Sequence, residues 1–517
     1  MTYKEVYEKK PWLRFYPEGV PETISIPEKS LPDLFDEVTN KYANKAALIF
    51  YGSKISFKEL KDQVDRFARA LSDLGVKKGD RVALYLLNSP QYVISYFGVL
   101  KAGATVTPIS PVYTSIEVNH QLLDSEAKFI VCQDILYENV EKANVNLQEV
   151  IITNIGEYLP TLKKFLGKSL IGKFWRKVDL PTPKIEERAG LHQFQSLIKK
   201  YPPKPPALNI HPKEDIAALP YTGGTTGSPK GAMLSHFNLI ACGTQTQIFW
   251  PFLEEGKETI LAFLPFYHIY GQVVVMLNGL AQGSTLLLFT TPDLEEILEA
   301  VESYKASMFF GVPTMYEYLK EYDKTDRVNW KRLKGIVCGA DTLHESTHSD
   351  WERKTGTRIL EGYGLTECSA VSHTNPHNKP KVGSFGIPLP NITGAILGIE
   401  EDEFLPVGEI GELVIKGPNV MQGYWKKPEE TKNQLIDIEG ETWLRTGDLV
   451  KMDEEGFFHF YDRKKDLIKY KGYSVFAKDI EEVLYSHPKI KAAGVVGVPD
   501  LKVGQIIKAM VVLQTEA

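Results

Sequence analysis

Tyr221-Thr-Gly-Gly-Thr-Thr-Gly-Ser-Pro-Lys-Gly231 is the stretch on which the reading of this 517-residue chain turns. It follows a predicted strand, Ile216–Pro220, and precedes a helix-like run that begins at His236. Glycines at 223, 224 and 227 let the backbone curl so that several N–H groups point at one anion. Thr222, Thr225, Thr226 and Ser228 add hydroxyl donors, and Lys230 adds a positive charge. The alternative is a Gly/Thr connector without a ligand; this density of hydroxyls favours a polyphosphate-binding loop. It is not the P-loop of the NTPases, in which Lys follows Gly and precedes Ser or Thr. Here Pro229 precedes the lysine and Gly231 follows it.

Outward from this loop, short apolar runs alternate with amphipathic stretches. Predicted strands are Ala46–Tyr51, Arg81–Leu86, Thr105–Ile109, Phe129–Cys132, Ile260–Leu264, Thr285–Phe289, Gly335–Gly339 and Arg358–Leu360. Helix-like segments include Phe57–Leu74, Gln91–Lys101, Leu294–Ser303 and Thr314–Tyr322. Alternation of this kind predicts an α/β fold with largely parallel sheets. The strand number predicts two doubly wound sheets rather than one. The Pro-rich stretch Pro202–Pro206 reads as a stiff connector between residues 1–206 and 207–390. Residues 391–464 are strand- and Gly-rich and form a smaller β unit; 1–464 together make a large N-terminal domain. A small α+β unit, 465–517, completes the chain.

The net charge of −6 gives no basic footprint for nucleic acid. Cys132, Cys242, Cys338 and Cys368 form no Cys-x-x-Cys pair, so neither a zinc ribbon nor a disulfide framework is expected, and a reduced, cytoplasmic protein fits. Residues 1–16 lack an apolar signal core, and Gln272–Phe289 is too interrupted by polar residues and glycine to span a bilayer. Leu162–Lys177 carries Lys163, Lys164, Lys168, Lys173, Arg176 and Lys177 beside an apolar stripe that includes Phe165, Phe174 and Trp175. Such a basic amphipathic helix suits peripheral contact with a membrane surface; an exposed helix packed by its stripe is the plain alternative.

The loop resembles the signature loop of the adenylate-forming enzymes: acyl-CoA synthetases, aryl-CoA ligases, firefly-type luciferases and peptide-synthetase adenylation domains. Further motifs follow in that family's order: Leu264-Pro-Phe-Tyr-His-Ile-Tyr-Gly271, Gly339-Ala-Asp341, Glu361-Gly-Tyr-Gly-Leu-Thr-Glu367, Gly411-Glu-Leu413, Gly423-Tyr-Trp425, Arg445-Thr-Gly-Asp448 and Asp462-Arg-Lys-Lys-Asp-Leu-Ile-Lys-Tyr-Lys-Gly472. The likeness spans nearly the whole chain and is strongest toward fatty acyl-CoA ligases. It implies that ATP, Mg²⁺ and CoA join a fatty acid substrate, with a homodimer left open.

The resemblance implies these roles. Thr222, Gly223, Gly224, Thr225, Thr226 and Gly227 hold phosphates with Lys230. Glu367 and Thr225 hold Mg²⁺, since a carboxylate beside a triphosphate needs a cation between them. Gly339, Ala340, Asp341, Glu361, Gly362 and Tyr363 shape the adenine site, with the Tyr363 ring on the base, and Gly364 and Thr366 also belong to the ATP/AMP site; Asp341 departs from the small neutral residue of many relatives. Asp448 accepts from the ribose hydroxyls, and Arg463 contacts ribose or phosphate. His268 orients the substrate carboxylate, with Tyr270, Gly311 and Gly364 around the acyl group. Gly364 replaces the Trp that closes the pocket of acetate-activating relatives, and so points to a medium or long acyl chain. An aryl acid such as a cinnamate is the alternative.

The same resemblance implies two half-reactions, formation of acyl-AMP with release of pyrophosphate and then transfer to CoA. A C-terminal lid would swing about Lys465, bringing Lys469 and the Lys471–Gly472 backbone to CoA. The family's adenylation lysine lies well beyond the hinge in a Gly/Lys-rich motif; no such motif occurs in 465–517, which reads as a truncated lid or a lost lysine. Tyr473–Lys478 also lacks a proline often found there. Slow adenylation with an intact nucleotide site is the expectation. Other readings are a non-catalytic acyl- or nucleotide-binding relative, a peptide-synthetase module, against which the missing Gly-Gly-x-Ser signal argues, and a zinc site. The last rests on His344-Glu-Ser-Thr-His348, whose histidines would share one face of a helix, with Glu361 or Glu367 as third ligand.

Overall fold

The computed structural model describes Tyr3, Tyr7 and residues 9–160, 185–222, 229–470, 473–485, 487–500 and 502–514. The segment 162–177, the loop residues Gly223, Gly224, Thr225, Thr226 and Gly227, and Lys471 and Gly472 lie outside these residues.

Among the described residues, one sheet has nine strands in the order Ile387–Pro388, His373–Thr374, Leu360–Tyr363, Gly335–Cys338, Met308–Gly311, Thr259–Ala262, Thr285–Leu288, Ala46–Phe50 and Ser53–Ser56. The six from Leu360–Tyr363 to Ala46–Phe50 run parallel. A second sheet has seven: Leu234–Ser235, Ile216–Ala218, Thr105–Pro108, Arg81–Tyr85, Phe129–Gln133, Glu149–Thr153 and Leu191–Gln193. All its neighbours are parallel except the first pair. Strands such as Val82-Ala-Leu-Tyr85 are fully buried, which is why they read as unbroken apolar runs rather than as alternation.

The helices follow from local signals. In Phe57–Asp73 the Ser56 hydroxyl accepts from the Glu59 N–H, and the Glu59 carboxylate accepts from the Ser56 N–H. Its Phe57, Leu60, Val64, Phe67 and Leu71 recur at helical spacing and are buried. Pro90–Lys101 is buried along its whole length, and its mostly apolar sequence accounts for that.

Two readings of the sequence change. The Pro-rich stretch is not a boundary between sheets. Ala46–Phe50 and Ser53–Ser56, from before it, join the nine-stranded sheet, and Ile216–Ala218 and Leu234–Ser235, from after it, join the seven-stranded one. Parallel pairing links segments distant in sequence, so chain order does not reveal sheet membership. The strand predicted at 358–360 runs over Leu360–Tyr363, and the strands Met308–Gly311 and Glu149–Thr153 were not anticipated. Gln272–Phe289 is divided between a π-helical stretch (Tyr270–Leu277), a short helix (Asn278–Ala281) and the strand Thr285–Leu288. No helix among the described residues is long and apolar enough to cross a membrane.

Five strands, Thr393–Leu397, Ile410–Lys416, Leu435–Ile438, Glu441–Met452 and Phe458–Arg463, make the third sheet. The terminal unit has the strands Ile468–Tyr470, Tyr473–Val475, Ile490–Asp500 and Gly504–Leu513 and the helix Ala477–Tyr485.

Candidate active site

Four neighbouring parallel strands, Thr259–Ala262, Met308–Gly311, Gly335–Cys338 and Leu360–Tyr363, end on the same edge of the large sheet. The segments at their carboxyl ends carry His268, Gly311, Gly339–Asp341 and Glu361–Glu367, which is where open α/β sheets bind ligands. A cavity of about 630 Å³ opens there, lined by Thr222, Lys230, His268, Tyr270, Gly339, Ala340, Gly362, Tyr363, Gly364, Thr366, Glu367, Arg463 and Lys465. An adjoining pocket of about 270 Å³ shares Ala340, Gly362, Tyr363, Gly364 and Arg463 and adds Asp341 and Glu361. Ala340 and Ala370, both on the main cavity wall, have φ of +77° and +102°. Left-handed backbone at non-glycine residues is strained and concentrates at functional sites.

At one end of the cavity, Thr222 pairs with Lys230 and Tyr221 with Gly231 in antiparallel register, so the two flanks of the glycine-rich segment form a paired base. That base is tied to the Gly423-Tyr-Trp425 motif. Met233 N–H donates to Gly423 O, and Trp425 N–H donates to Gly231 O, both at 2.9 Å. Tyr424 OH donates to Glu367 Oε1 at 2.7 Å, and Lys230 Nζ lies 4.8 Å from the centre of the Tyr424 ring. Glu367 is the one carboxylate among the described residues of the main cavity wall. No group of three or more His, Cys, Asp or Glu side chains among the described residues is arranged to hold a metal. A single carboxylate sharing a cavity with Lys230 fits Mg²⁺, which takes one or two carboxylates and completes its shell with other oxygen ligands and water.

Elsewhere in the cavity wall the Tyr363 ring stacks on Phe385, with centres 4.5 Å apart, and its OH donates to Asp448 Oδ2 at 2.5 Å. Asp448 sits directly across from Arg463 on the neighbouring strand, and its Oδ1 is 2.7 Å from Arg463 Nη1. Asp448 is therefore buried behind Tyr363 and Arg463 and does not line the main cavity; both of its oxygens already have neighbours. Burial raises its pKa, and Arg463 opposes that rise. Burial also pushes Glu361 up to about 8, so it carries a proton at neutral pH and faces the smaller pocket as a donor as well as an acceptor.

His268 meets solvent through the cavity while protein encloses the ring on its other sides, and that burial lowers its pKa. Tyr270 N–H donates to His268 Nδ1 at 3.3 Å, which leaves the proton of the neutral ring on Nε2. The loop that carries His268 is held from the other sheet's side of the molecule. Asn88 Nδ2 donates to Leu264 O at 2.8 Å, Phe266 N–H donates to Asn88 Oδ1 at 2.8 Å, and Tyr92 OH donates to Phe266 O at 2.8 Å. Gly271 is required here because a Cβ would lie 2.3 Å from Pro265 O.

Gly364 changes meaning. A Cβ on it would lie 1.8 Å from Ala370 O, so it points at backbone and not into open space. Glycine at 364 is demanded by the close passage of residues 370–371, and its lack of a side chain is no measure of pocket depth. Gly311 is not on the main cavity wall; the Tyr316 ring packs where its Cβ would be, within 2.7 Å. The apolar wall is instead made by Trp250, Tyr270, Val274, Val337 and Val371. Lys469 also lies away from the cavity, paired with Glu400 at 2.9 Å. His344 precedes the helix Glu345–Thr355 rather than lying on it, and the buried His348 has Nε2 3.2 Å from Ile359 O. The two histidines therefore do not share a helical face and do not form the zinc pair that the sequence pattern suggests.

Sequence reasoning missed Trp250, Lys464 and Val274 of the cavity wall and Lys478 of the smaller pocket, and gave Tyr424 no role although it quoted its motif. Tyr424, Lys464 and Lys478 lie in stretches the sequence singles out, whereas Trp250 and Val274 reach the wall through tertiary contact alone.

The model of the AMP-binding enzyme family matches residues 35–425, and that of the AMP-binding enzyme C-terminal domain matches 479–517. The chain is 38% identical over 514 residues to a long-chain-fatty-acid–CoA ligase of Bacillus subtilis, covering 98% of this chain and 90% of that one. It is 37% identical over 515 residues to the enzyme of the same name from Escherichia coli O6:H1, with coverages of 98% and 89%. Among solved structures, ATP-bound MatB from Rhodopseudomonas palustris superposes with a TM-score of 0.81 at 29% identity, covering 95% of this chain and 90% of that one. With the family model matched over most of its length, and with its motif residues gathered around one cavity, the chain belongs to the AMP-binding enzyme family.

Proposed function

We propose that this chain activates a long-chain fatty acid in two steps. The fatty acid carboxylate attacks the α-phosphorus of ATP, forming the acyl-adenylate and releasing pyrophosphate; the CoA thiol then attacks the acyl carbon, forming the thioester and releasing AMP. The observation that carries this reading is one cavity whose lining combines the cations Lys230, Lys465 and Arg463 with the apolar side chains Trp250, Val274, Val337 and Val371. Relatives named as long-chain-fatty-acid–CoA ligases over almost the whole chain support the choice of acid.

In this reading Lys230 offsets charge on the departing pyrophosphate, with the hydroxyls and N–H groups of residues 222–227 around the phosphates. Mg²⁺, held by Glu367 and the Thr225 hydroxyl, would supply further charge neutralisation there. Tyr363 faces the base; Asp341, Glu361, Gly339 and Ala340 frame it. Asp448 and Arg463 receive the ribose once their mutual pair opens. His268 stays neutral and offers Nε2–H to the acid carboxylate, orienting it rather than removing a proton. Lys469, Lys471 and Gly472 reach CoA after rotation about Lys465, which requires the Lys469–Glu400 pair to part. Contact of 162–177 with a membrane surface belongs to the same reading, and flotation of the protein with anionic vesicles tests it.

The deciding experiment is pyrophosphate release with hydroxamate trapping across acetate, octanoate, palmitate, benzoate and coumarate. Maximal release on palmitate is expected; a maximum on coumarate would move the assignment to an aryl-acid ligase, and no release on any acid would favour a binding protein.

A further inference from the structure

The Tyr424 side chain touches both charged groups of the phosphate end. It is 4% exposed. Its hydroxyl donates to Glu367 Oε1 at 2.7 Å, and its ring face carries Lys230 Nζ at 4.8 Å. The backbone around it is fixed by a bridge between Ala232 and Tyr424 and by the bonds from Met233 to Gly423 and from Trp425 to Gly231. Without this residue Lys230, on the strand Lys230–Gly231, and Glu367, in the short helical turn Thr366–Cys368, have rotamer freedom to lose each time ligand arrives.

We infer that Tyr424 is a positioning residue that presets the phosphate site, its ring holding the Lys230 ammonium and its hydroxyl holding the Glu367 carboxylate toward the metal-bearing face of ATP. This rests on the reading that the cavity takes Mg·ATP. The two functions sit on different atoms, so they separate by substitution. Phenylalanine keeps the ring and loses the hydroxyl; leucine keeps bulk and loses both.

The test is calorimetric titration of the full chain and its Tyr424→Phe and Tyr424→Leu variants with ATP, with and without Mg²⁺, alongside thermal melts and palmitate-dependent pyrophosphate release. For Tyr424→Phe the Mg²⁺-free affinity stays within about twofold of the original chain, while the gain on adding Mg²⁺ drops about tenfold, the size of a lost hydrogen bond to a charged group. For Tyr424→Leu the Mg²⁺-free affinity also falls, about fivefold, through loss of the cation–π contact. A full Mg²⁺ gain in Tyr424→Phe overturns the inference. So do equal losses in both variants that track a lowered melting temperature, because a packing role alone would do that. Absence of palmitate-dependent release with the two binding effects intact would instead overturn the fatty-acid reading and leave Tyr424 in its role.

Discussion

The cavity wall and the terminal unit are built on opposite terms. The strands that end at the cavity are buried on both faces, and the loops leaving them are locked by Asn88, Tyr92 and Tyr424. In the terminal unit the buried apolar cluster among the described residues is Ile468, Ala477 and Val495. Val496, Val498, Ile506, Met510 and Val512, which register onto one face of its hairpin, are 36–57% exposed. It meets the body through few polar contacts, including Lys469 with Glu400, Tyr461 OH with the Asp479 carboxylate, and Lys478 Nζ with Phe460 O at 3.4 Å. Ligand recognition needs geometry that does not relax, and dense packing provides it. A unit expected to rotate between two half-reactions must instead hold its place by contacts that are easily exchanged.

The comparison breaks most visibly in the body's core. Trp351 is wedged against Trp330 and Tyr316, with ring centres 4.7 and 5.2 Å away. Trp351→Ala is expected to cost about 3–5 kcal/mol in urea unfolding. Val495→Ala, in the terminal unit, is expected to cost about 1.5 kcal/mol. Its effect should be read as faster amide exchange in 468–513, with the body unchanged. If both substitutions move the same global transition, the two regions are one cooperative unit.

A middle-sized effect concerns pH. Glu361 is pushed up to about 8 from an ordinary value of 4.5. Between those values the folded chain keeps a proton that the unfolded chain has released, so stability falls as pH rises from about 4.5 to 8. Burial pushes His373 down to about 3 and His236 to about 4. There the unfolded chain binds the extra protons below about 6.5, so stability falls as pH drops through that range. Melting temperature should therefore decline between pH 6.5 and 8 in the original chain, and Glu361→Gln should flatten that decline. A decline of unchanged slope in the variant would remove Glu361 as its source.

The smallest effect belongs to Glu400→Gln. Both partners of the Lys469–Glu400 pair are largely exposed, so little stability is at stake. Amide exchange in 468–513 should quicken by less than about threefold while that of the cavity strands stays fixed. Slower exchange would show that the pair strains the unit rather than holding it.

Much of this was legible in advance because the informative residues carry local signals. Lys230, His268, Gly339 and Glu367, each singled out within its own short motif, line one cavity, and the helix Leu294–Ser303 falls where its periodicity puts it. Gly364 was the instructive misreading. In the sequence its absent side chain reads as space, whereas the passing backbone at Ala370 fills that direction. The strand Met308–Gly311 escaped because a four-residue apolar run carries no period that separates strand from helix.

The sequence alone determined the alternation of strands and helices, the order of the motifs, and the chemistry each could supply, since these depend on residues a few positions apart. Only the tertiary structure decided which strand lies in which sheet, that Asp448 is held by Tyr363 and Arg463, and that Tyr424 stands between Lys230 and Glu367. Those facts depend on contacts between residues 15 to more than 200 positions apart, formed when buried faces find partners of matching shape, and no local pattern encodes such partners.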